Sequence, residues 1–307
     1  MLMRAVAIGE CMVELSDAGG GLLAKAFAGD AYNTAVYLKR SAPGLQVQFL
    51  TVTGTDPLSQ AMRMAWRCEG VEDEAAFIDP DRTPGLYLIE RDAAGDRRFH
   101  YWRSASAARQ WMQRLRAGGG DPLGGADLVY LSGISLAILP PEDQDQALLL
   151  LRSLKGKAGL IALDPNIRPA LWPSLDAARA VIEAAVGLAD IILPSLDDLV
   201  LLYGPGSPEI LAAKLWRHGA REIALTAGGE GGLVVTAQGR AGVASPRPEQ
   251  VIDTSGAGDS FNGAYLAARL SGADPTAAAE AGLALAARVV AARGAVIPAN
   301  VSHPLEP

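Results

Sequence analysis

The chain has 307 residues, half of them hydrophobic, and a formal net charge of −7. That length and apolar content suffice for a substantial core in one large or two ordinary domains, and the acidic balance argues against a general nucleic-acid surface. Apolar runs never reach the ~18 residues of a membrane span, and the opening MLMRAVAIGE lacks a secretory signal's apolar region, so a cytoplasmic protein without a membrane partner is expected. Cys11 and Cys68 have no metal-type spacing, and His100, His218 and His303 are scattered, which leaves little material for a zinc centre or a His-driven triad.

In chain order, Ala5 to Ile8 predicts a short strand ending at Gly9-Glu10, and Met12 to Leu15 a second one running into a hairpin tip at Asp17 to Gly21. Gly29-Asp30 precedes a helix of about ten residues, with Asp30 readable as its N-cap or as a ligand-facing acid. Val47 to Val52 reads as a strand. Asp56 and Pro57 then start a helix, as N-cap and first helical residue, that Gly70 ends.

Gly85 to Glu90 and Arg97 to Arg103 are β-rich runs separated by turn residues at 92–96, a hairpin that needs partners to be stable. The second run ends Tyr101-Trp102-Arg103, and alternation puts Tyr101 and Arg103 on one face. Two readings stand together there. The aromatics, with Tyr87, form a cover or a dimer core beside a solvated arginine, or the guanidinium is a bidentate carboxylate ligand with tyrosine hydroxyls as directional donors.

From Leu128 onward strands and helices alternate: Leu128 to Leu131, Glu142 to Leu154, Leu160 to Leu163, Leu175 to Leu188, Ile191 to Leu193. This is the rhythm of a mainly parallel sheet covered on both faces, so the fold class is α/β. Ligands in such sheets gather at the carboxyl ends of strands. The polar strings Asp164-Pro165-Asn166-Ile167-Arg168, Ser195-Leu196-Asp197-Asp198 and Thr226-Ala227-Gly228-Gly229-Glu230-Gly231 fall there. Capping by Ser195 and Asp197 explains the second string about as well as a metal role for Asp198. An Ala-rich helix, about Pro275 to Ala292, stops at Gly294.

The most informative stretch is Asp253 to Leu270, DTSGAGDSFNGAYLAARL, in which a turn of small residues feeds a helix whose Phe261, Ala264, Tyr265 and Ala268 share one buried face. Converging backbone N–H groups and the positive end of the helix dipole favour a phosphate there. Asp259 is then either a first-turn capping acid or a base beside a phosphoryl group. No G-x-x-x-x-G-K-[ST] string occurs, and Gly256-x-Gly258-x-x-Phe261 fails the dinucleotide fingerprint at its last glycine.

D-T-S-G-A-G-D with the helix that follows resembles the carboxy-terminal signature of the ribokinase-like (PfkB) carbohydrate kinases. Gly29-Asp30-Ala31-Tyr32-Asn33 and the Tyr101-Trp102-Arg103 string resemble the 2-keto-3-deoxygluconate kinases of that family. The resemblance implies a three-layer αβα sandwich of residues 1–10, 29–83 and 107–307, with a small β lid, 11–28 and 84–106, over the sugar. It further implies Asp259 as catalytic base, with Gly256, Ala257 and Gly258 as the anion hole. Gly29, Asp30, Asn33, Tyr87, Tyr101, Arg103 and Arg168 would hold the sugar acid. Asn166, Arg168, Ser195, Thr226, Gly228, Gly231, Gly256 and Gly258 would bind ATP.

Asp198 stands where relatives hold Mg²⁺ through water, although Ser195 and Asp198 replace both residues usual in that motif. Some relatives bind a monovalent cation, K⁺, between the Asp253 region and the tail, and many pair through lid edges, so a homo-oligomer is expected. The competing readings are another sugar kinase of the family, for fructose or ribose, and a sugar- or nucleotide-responsive binding protein without turnover. Retention of Asp259 speaks against the second, since a binder needs no base.

Overall fold

The computed structural model describes residues 3–91, 97–118 and 120–302. Its centre is a nine-stranded sheet, in the order Gly239–Val243, Gly232–Thr236, Glu222–Thr226, Ile191–Ile192, Leu160–Asp164, Leu128–Ser132, Arg4–Ile8, Gln46–Leu50 and Val71–Glu72. Seven strands are parallel, and the two at the Gly239 edge are antiparallel.

The central strands are largely apolar because both faces are covered. Side chains alternate between two cores: Ala5, Ala7, Leu128, Tyr130 and Ala162 enter one, and Val6, Ile8, Val129, Leu131, Ile161 and Leu163 the other. The helices Pro141–Leu154, Leu175–Val186, Leu196–Tyr203 and Pro208–Arg217 close the second core with Leu151, Ile182, Leu199 and Leu215. Asp30–Ser41, Pro57–Cys68, Ala257–Leu270 and Pro275–Val289 close the first with Val36, Trp66, Tyr265 and Leu283.

Two of these helices come very close. A Cβ added to Gly263 would lie 2.7 Å from both the Leu38 backbone nitrogen and Tyr37 Cβ. Only a residue without a side chain lets the Ala257–Leu270 backbone rest on Asp30–Ser41. The contact sets the separation of the two helix N-termini, and each of those carries a site residue.

Four strands, Leu22–Ala28, Met12–Gly19, Leu86–Arg91 and Arg97–Trp102, form a separate sheet in that order. The chain leaves the core after Ile8, returns at Gly29, leaves again near Gly85 and returns at Arg103. The turn expected at 92–96 lies outside the described residues.

Local readings mostly match. Asp56 caps Pro57–Cys68, accepting from the backbone N–H groups of Leu58 and Ser59. Val47 to Val52 divides into Gln46–Leu50 and the short Val52–Thr53, which pairs with Phe77–Ile78 instead of the main sheet. Helices Trp111–Ala117 and Pro208–Arg217 and the antiparallel edge strands lacked an expectation in the sequence. Gly232–Thr236 and Gly239–Val243 are short, and the glycines at their starts obscure the apolar pattern.

Candidate active site

A cleft of about 710 Å³ opens at the carboxyl ends of Leu128–Ser132, Leu160–Asp164, Ile191–Ile192 and Glu222–Thr226, and the small sheet forms its other wall. Gly29, Asp30 and Asn33 line it from the first helix, and Tyr87, Tyr101 and Arg103 from the small sheet. Asn166, Arg168, Ser195, Asp198 and Thr226 line it from the strand ends, and Gly256 to Asp259 from the last loop. Gly228 and Gly231 are not among the lining residues. Gly228 starts a short exposed 3-10 turn, and Gly231 is buried against the edge strand.

Asp259 lies in the first turn of Ala257–Leu270, whose N-cap is Gly256 in the left-handed region at φ 72°, with no side-chain capping bond. The capping reading of Asp259 therefore fails. Its Oδ2 instead accepts a 2.8 Å hydrogen bond from Asn33 Nδ2, and Asn33 Oδ1 accepts from the Gly29 backbone N–H at 3.3 Å. Burial, with the negative charge of Asp30 second, pushes the Asp259 carboxyl up to about 7, while the Asn33 hydrogen bond and the Arg168 charge oppose the rise. A carboxylate in that range is matched to taking a proton near neutral pH.

Asp30 does not cap its helix either. The N-cap is Gly29, and the Asp30 carboxylate accepts from Ser132 Oγ and from Asn166 Nδ2, the latter at 2.9 Å. Asn166 is the one non-glycine residue with positive φ among those described, at 35°. An Asx turn supports that conformation, with the Asn166 N–H donating to Asp164 Oδ1 at 2.9 Å.

Asp164 Oδ2 accepts from Asn262 Nδ2 at 2.8 Å, and Asn262 also donates to the Tyr130 hydroxyl at 3.3 Å. Burial drives Asp164 far above the usual carboxylate range, and the nearby charges of Asp198, Asp259 and Asp30 push the same way. Ser132 and Asn262 are not singled out by the sequence, and Asp164 only as the first residue of the polar string at 164–168. Asn262 had a usable signal, because it lies three residues after Asp259 on one helix face.

Two acids that sequence reasoning did not assign contribute here, Glu14 in the small sheet and Glu10 in the connection before it. The Tyr87 hydroxyl donates to Glu14 Oε2, and Tyr87 lines the cleft. Arg103 Nη2 donates to Glu10 Oε2 in an ion pair whose Arg103 side chain is only 11% exposed, which rules out a solvated Arg103. The Tyr101 ring lies 5.7 Å from Tyr87 and 6.3 Å from Phe99, centroid to centroid.

Toward the far end of the cleft, Ser195 Oγ caps Leu196–Tyr203 by accepting from the Asp198 N–H at 3.1 Å. Asp197 makes no capping bond and lines the cleft. Asp198 accepts from the Ile167 N–H at 2.7 Å and from Ser195 Oγ at 2.7 Å, and burial raises its carboxyl. Arg168 is 3.9 Å from Asp198 and over half exposed. Asp253 accepts from the N–H groups of Ser255, at 2.8 Å, and Gly294, at 3.1 Å, tying the loop before Asp259 to the C-terminal segment. Among the described residues no three His, Cys, Asp or Glu side chains group as a metal cage. The acids present suit a cation held chiefly by a ligand's phosphates and by water.

A parallel sheet with a turn of small residues at a helix start, a buried acid whose carboxyl is raised to about 7 and a covering β sheet suits a phosphotransferase acting on a hydroxyl. The pfkB family carbohydrate kinase profile matches residues 4–301, and the chain belongs to that family. It is 38% identical over 304 residues to the 2-dehydro-3-deoxygluconokinase of Escherichia coli K12, covering 97% of this chain and 98% of the relative. The enzyme of that name from Dickeya dadantii is 38% identical over 298 residues, covering 95% and 96%. Aminoimidazole riboside kinase from Salmonella enterica superposes with a TM-score of 0.84 at 24% identity, over 97% of this chain and 96% of that one, which shows the shared fold. The protein is an ATP-dependent carbohydrate kinase. No helix among the described residues is long and apolar enough to cross a membrane.

Proposed function

We propose that the enzyme phosphorylates the C6 hydroxyl of 2-keto-3-deoxygluconate, with Asp259 as general base. The observation that carries the reading is the cleft itself, in which Asp259 shares one cavity with the arginines Arg103 and Arg168. Two cations suit a substrate carboxylate together with a triphosphate, whereas a neutral sugar needs only the second. The similarity to enzymes named 2-dehydro-3-deoxygluconokinase supports the same substrate.

Asp259 takes the hydroxyl proton as the sugar oxygen bonds to the γ-phosphorus and the bridging bond to the β-phosphate breaks, releasing ADP. The amides of Gly256, Ala257 and Gly258 stabilise charge on the transferring group, and Asn33 keeps the carboxylate aimed. Bound Mg²⁺ supplies charge neutralisation on the phosphate oxygens. Asp198 would hold it through water, and Ser195, Asn166 and Thr226 would face the nucleotide, with Gly228 and Gly231 shaping the loop beside it. Asp253 marks the place where K⁺ would bridge the loop and the tail.

Residues 11–28 and 84–106 act as the lid over a core of 1–10, 29–83 and 107–307, closing to exclude water. The lid face opposite Tyr87 and Tyr101 carries the exposed Trp102 beside Leu15, Phe27 and Leu86, which are partly buried against the core, and this edge is suited to pairing two subunits.

The test is a coupled ADP-release assay with Mg-ATP, comparing 2-keto-3-deoxygluconate, its galactonate epimer, fructose and ribose. Turnover restricted to the keto-deoxy acids supports the reading. Preference for a neutral sugar overturns the carboxylate assignment while keeping the kinase, and no turnover of any sugar overturns the catalytic role of Asp259.

A further inference from the structure

The Glu10–Arg103 pair sits where the chain passes between core and lid. Glu10 follows the first core strand, and Arg103 follows the last lid strand. The other two passages also close on Glu10: a Cβ added to Gly29 would lie 2.2 Å from its carbonyl oxygen, and one added to Gly85 would lie 2.7 Å from Oε1. All four passages therefore meet around one acid.

The pair is incompletely satisfied. Glu10 Oε1 and Arg103 Nε are both buried without a hydrogen-bond partner. A buried ion pair with free polar atoms is a poor stabilising device, since desolvating both charges costs as much as the attraction returns. Its value lies in aim. A lone arginine at a strand end samples many rotamers, whereas one fixed through Nη2 presents the rest of its guanidinium in a single direction, and Arg103 lines the cleft.

We propose that Glu10, which is not among the lining residues, is a positioning residue that aims Arg103 at the substrate carboxylate, so that discrimination between acidic and neutral sugars depends on it. The inference rests on the carboxylate-binding role of Arg103 given above. Glu10 acts only through Arg103 and touches neither sugar nor nucleotide.

The test is a double-mutant cycle on the full-length enzyme with 2-keto-3-deoxygluconate, using Glu10→Gln, Arg103→Ala and the double variant. Glu10→Gln is expected to raise the sugar-acid KM roughly tenfold, the scale of one charge-assisted hydrogen bond. The KM for ATP and kcat should stay within about twofold. In the Arg103→Ala background the same change should add nothing further to the sugar-acid KM. Should Glu10→Gln fold poorly by circular dichroism, Glu10→Asp, which keeps the charge and shortens the reach by one methylene, should give the same pattern.

An unchanged sugar-acid KM in Glu10→Gln, with Arg103→Ala impaired, overturns the proposal and leaves the substrate reading intact. Additive effects, or equal loss for ATP and sugar, overturn it as a purely structural role. A wild-type enzyme that turns over only neutral sugars overturns both readings.

Discussion

Asn33 Nδ2 reaches Asp259 Oδ2 at 2.8 Å across 226 positions of sequence, joining the first turns of two helices that pack on each other through Gly263. The hydrogen bond fixes the acid's orientation and partly offsets the burial that raises its proton affinity. Neither residue is placed by its own helix alone.

Asp259→Asn keeps the shape and can still accept from Asn33 while removing the base. Turnover should fall by at least about 100-fold, the scale of general-base catalysis, with ATP affinity retained. Single-turnover assays with and without excess ATP check both halves, and near-normal turnover would exclude Asp259 as the base.

The pH profile follows from the same carboxyl. It must be ionised to accept a proton, so kcat/KM should rise with pH and level off above about 7. Removing the Asn33 donor in Asn33→Ala takes away a contribution that lowers this pKa, so the acid limb should move to higher pH. A limb that stays in place would show that some other group controls it.

Stability should carry the opposite sign. The native state holds this proton more tightly than the unfolded chain, where the ordinary value is 3.8. The contribution is present in full below about pH 4 and is lost as pH rises through about 7. Asp259→Asn should therefore melt above wild type at pH 8, with the difference narrowing toward pH 4. Equal melting temperatures at pH 8 would contradict the burial of the carboxyl.

Gly263→Ala puts a methyl group between two helix backbones with no flexible neighbour to yield. A loss of about 1–3 kcal/mol is expected from overpacking, read by urea unfolding. Because the helices must separate for it to fit, turnover should fall as well, even at temperatures where the variant is fully folded. Wild-type activity in a destabilised variant would uncouple the packing from the site.

Asp198→Asn tests the metal assignment. With one negative charge gone, the Mg²⁺ concentration for half-maximal rate should rise severalfold at saturating sugar, while the sugar KM holds. An unaltered Mg²⁺ dependence would leave Asp198 as a brace for the Ile167 backbone and Ser195 alone.

Strings that carry local chemistry were readable before any coordinates. The Gly256 to Asp259 turn announces itself as a run of small residues feeding a helix, and the parallel sheet does so because its strands are largely apolar on both faces. Readings based on capping failed at Asp30 and Asp259 for one reason: an acid at a helix start looks the same whether its partner is the helix backbone or a side chain far away in sequence. Glu10 and Glu14 escaped notice likewise, Glu10 in the connection after Arg4–Ile8 and Glu14 in the strand Met12–Gly19, each given meaning by Arg103 or Tyr87 more than 70 residues away. Pairing of that kind has no local periodicity.

The place of Arg4–Ile8 in the middle of the main sheet bears on how the chain is made. Its neighbours are Gln46–Leu50 and Leu128–Ser132, so one side of the earliest strand waits until the second partner has been synthesised. At about 5–20 residues per second the delay is of the order of ten seconds, with a wholly apolar edge unpaired. During that interval an unpaired apolar strand edge of the nascent polypeptide is exposed to aggregation, long before Asp259 leaves the ribosome.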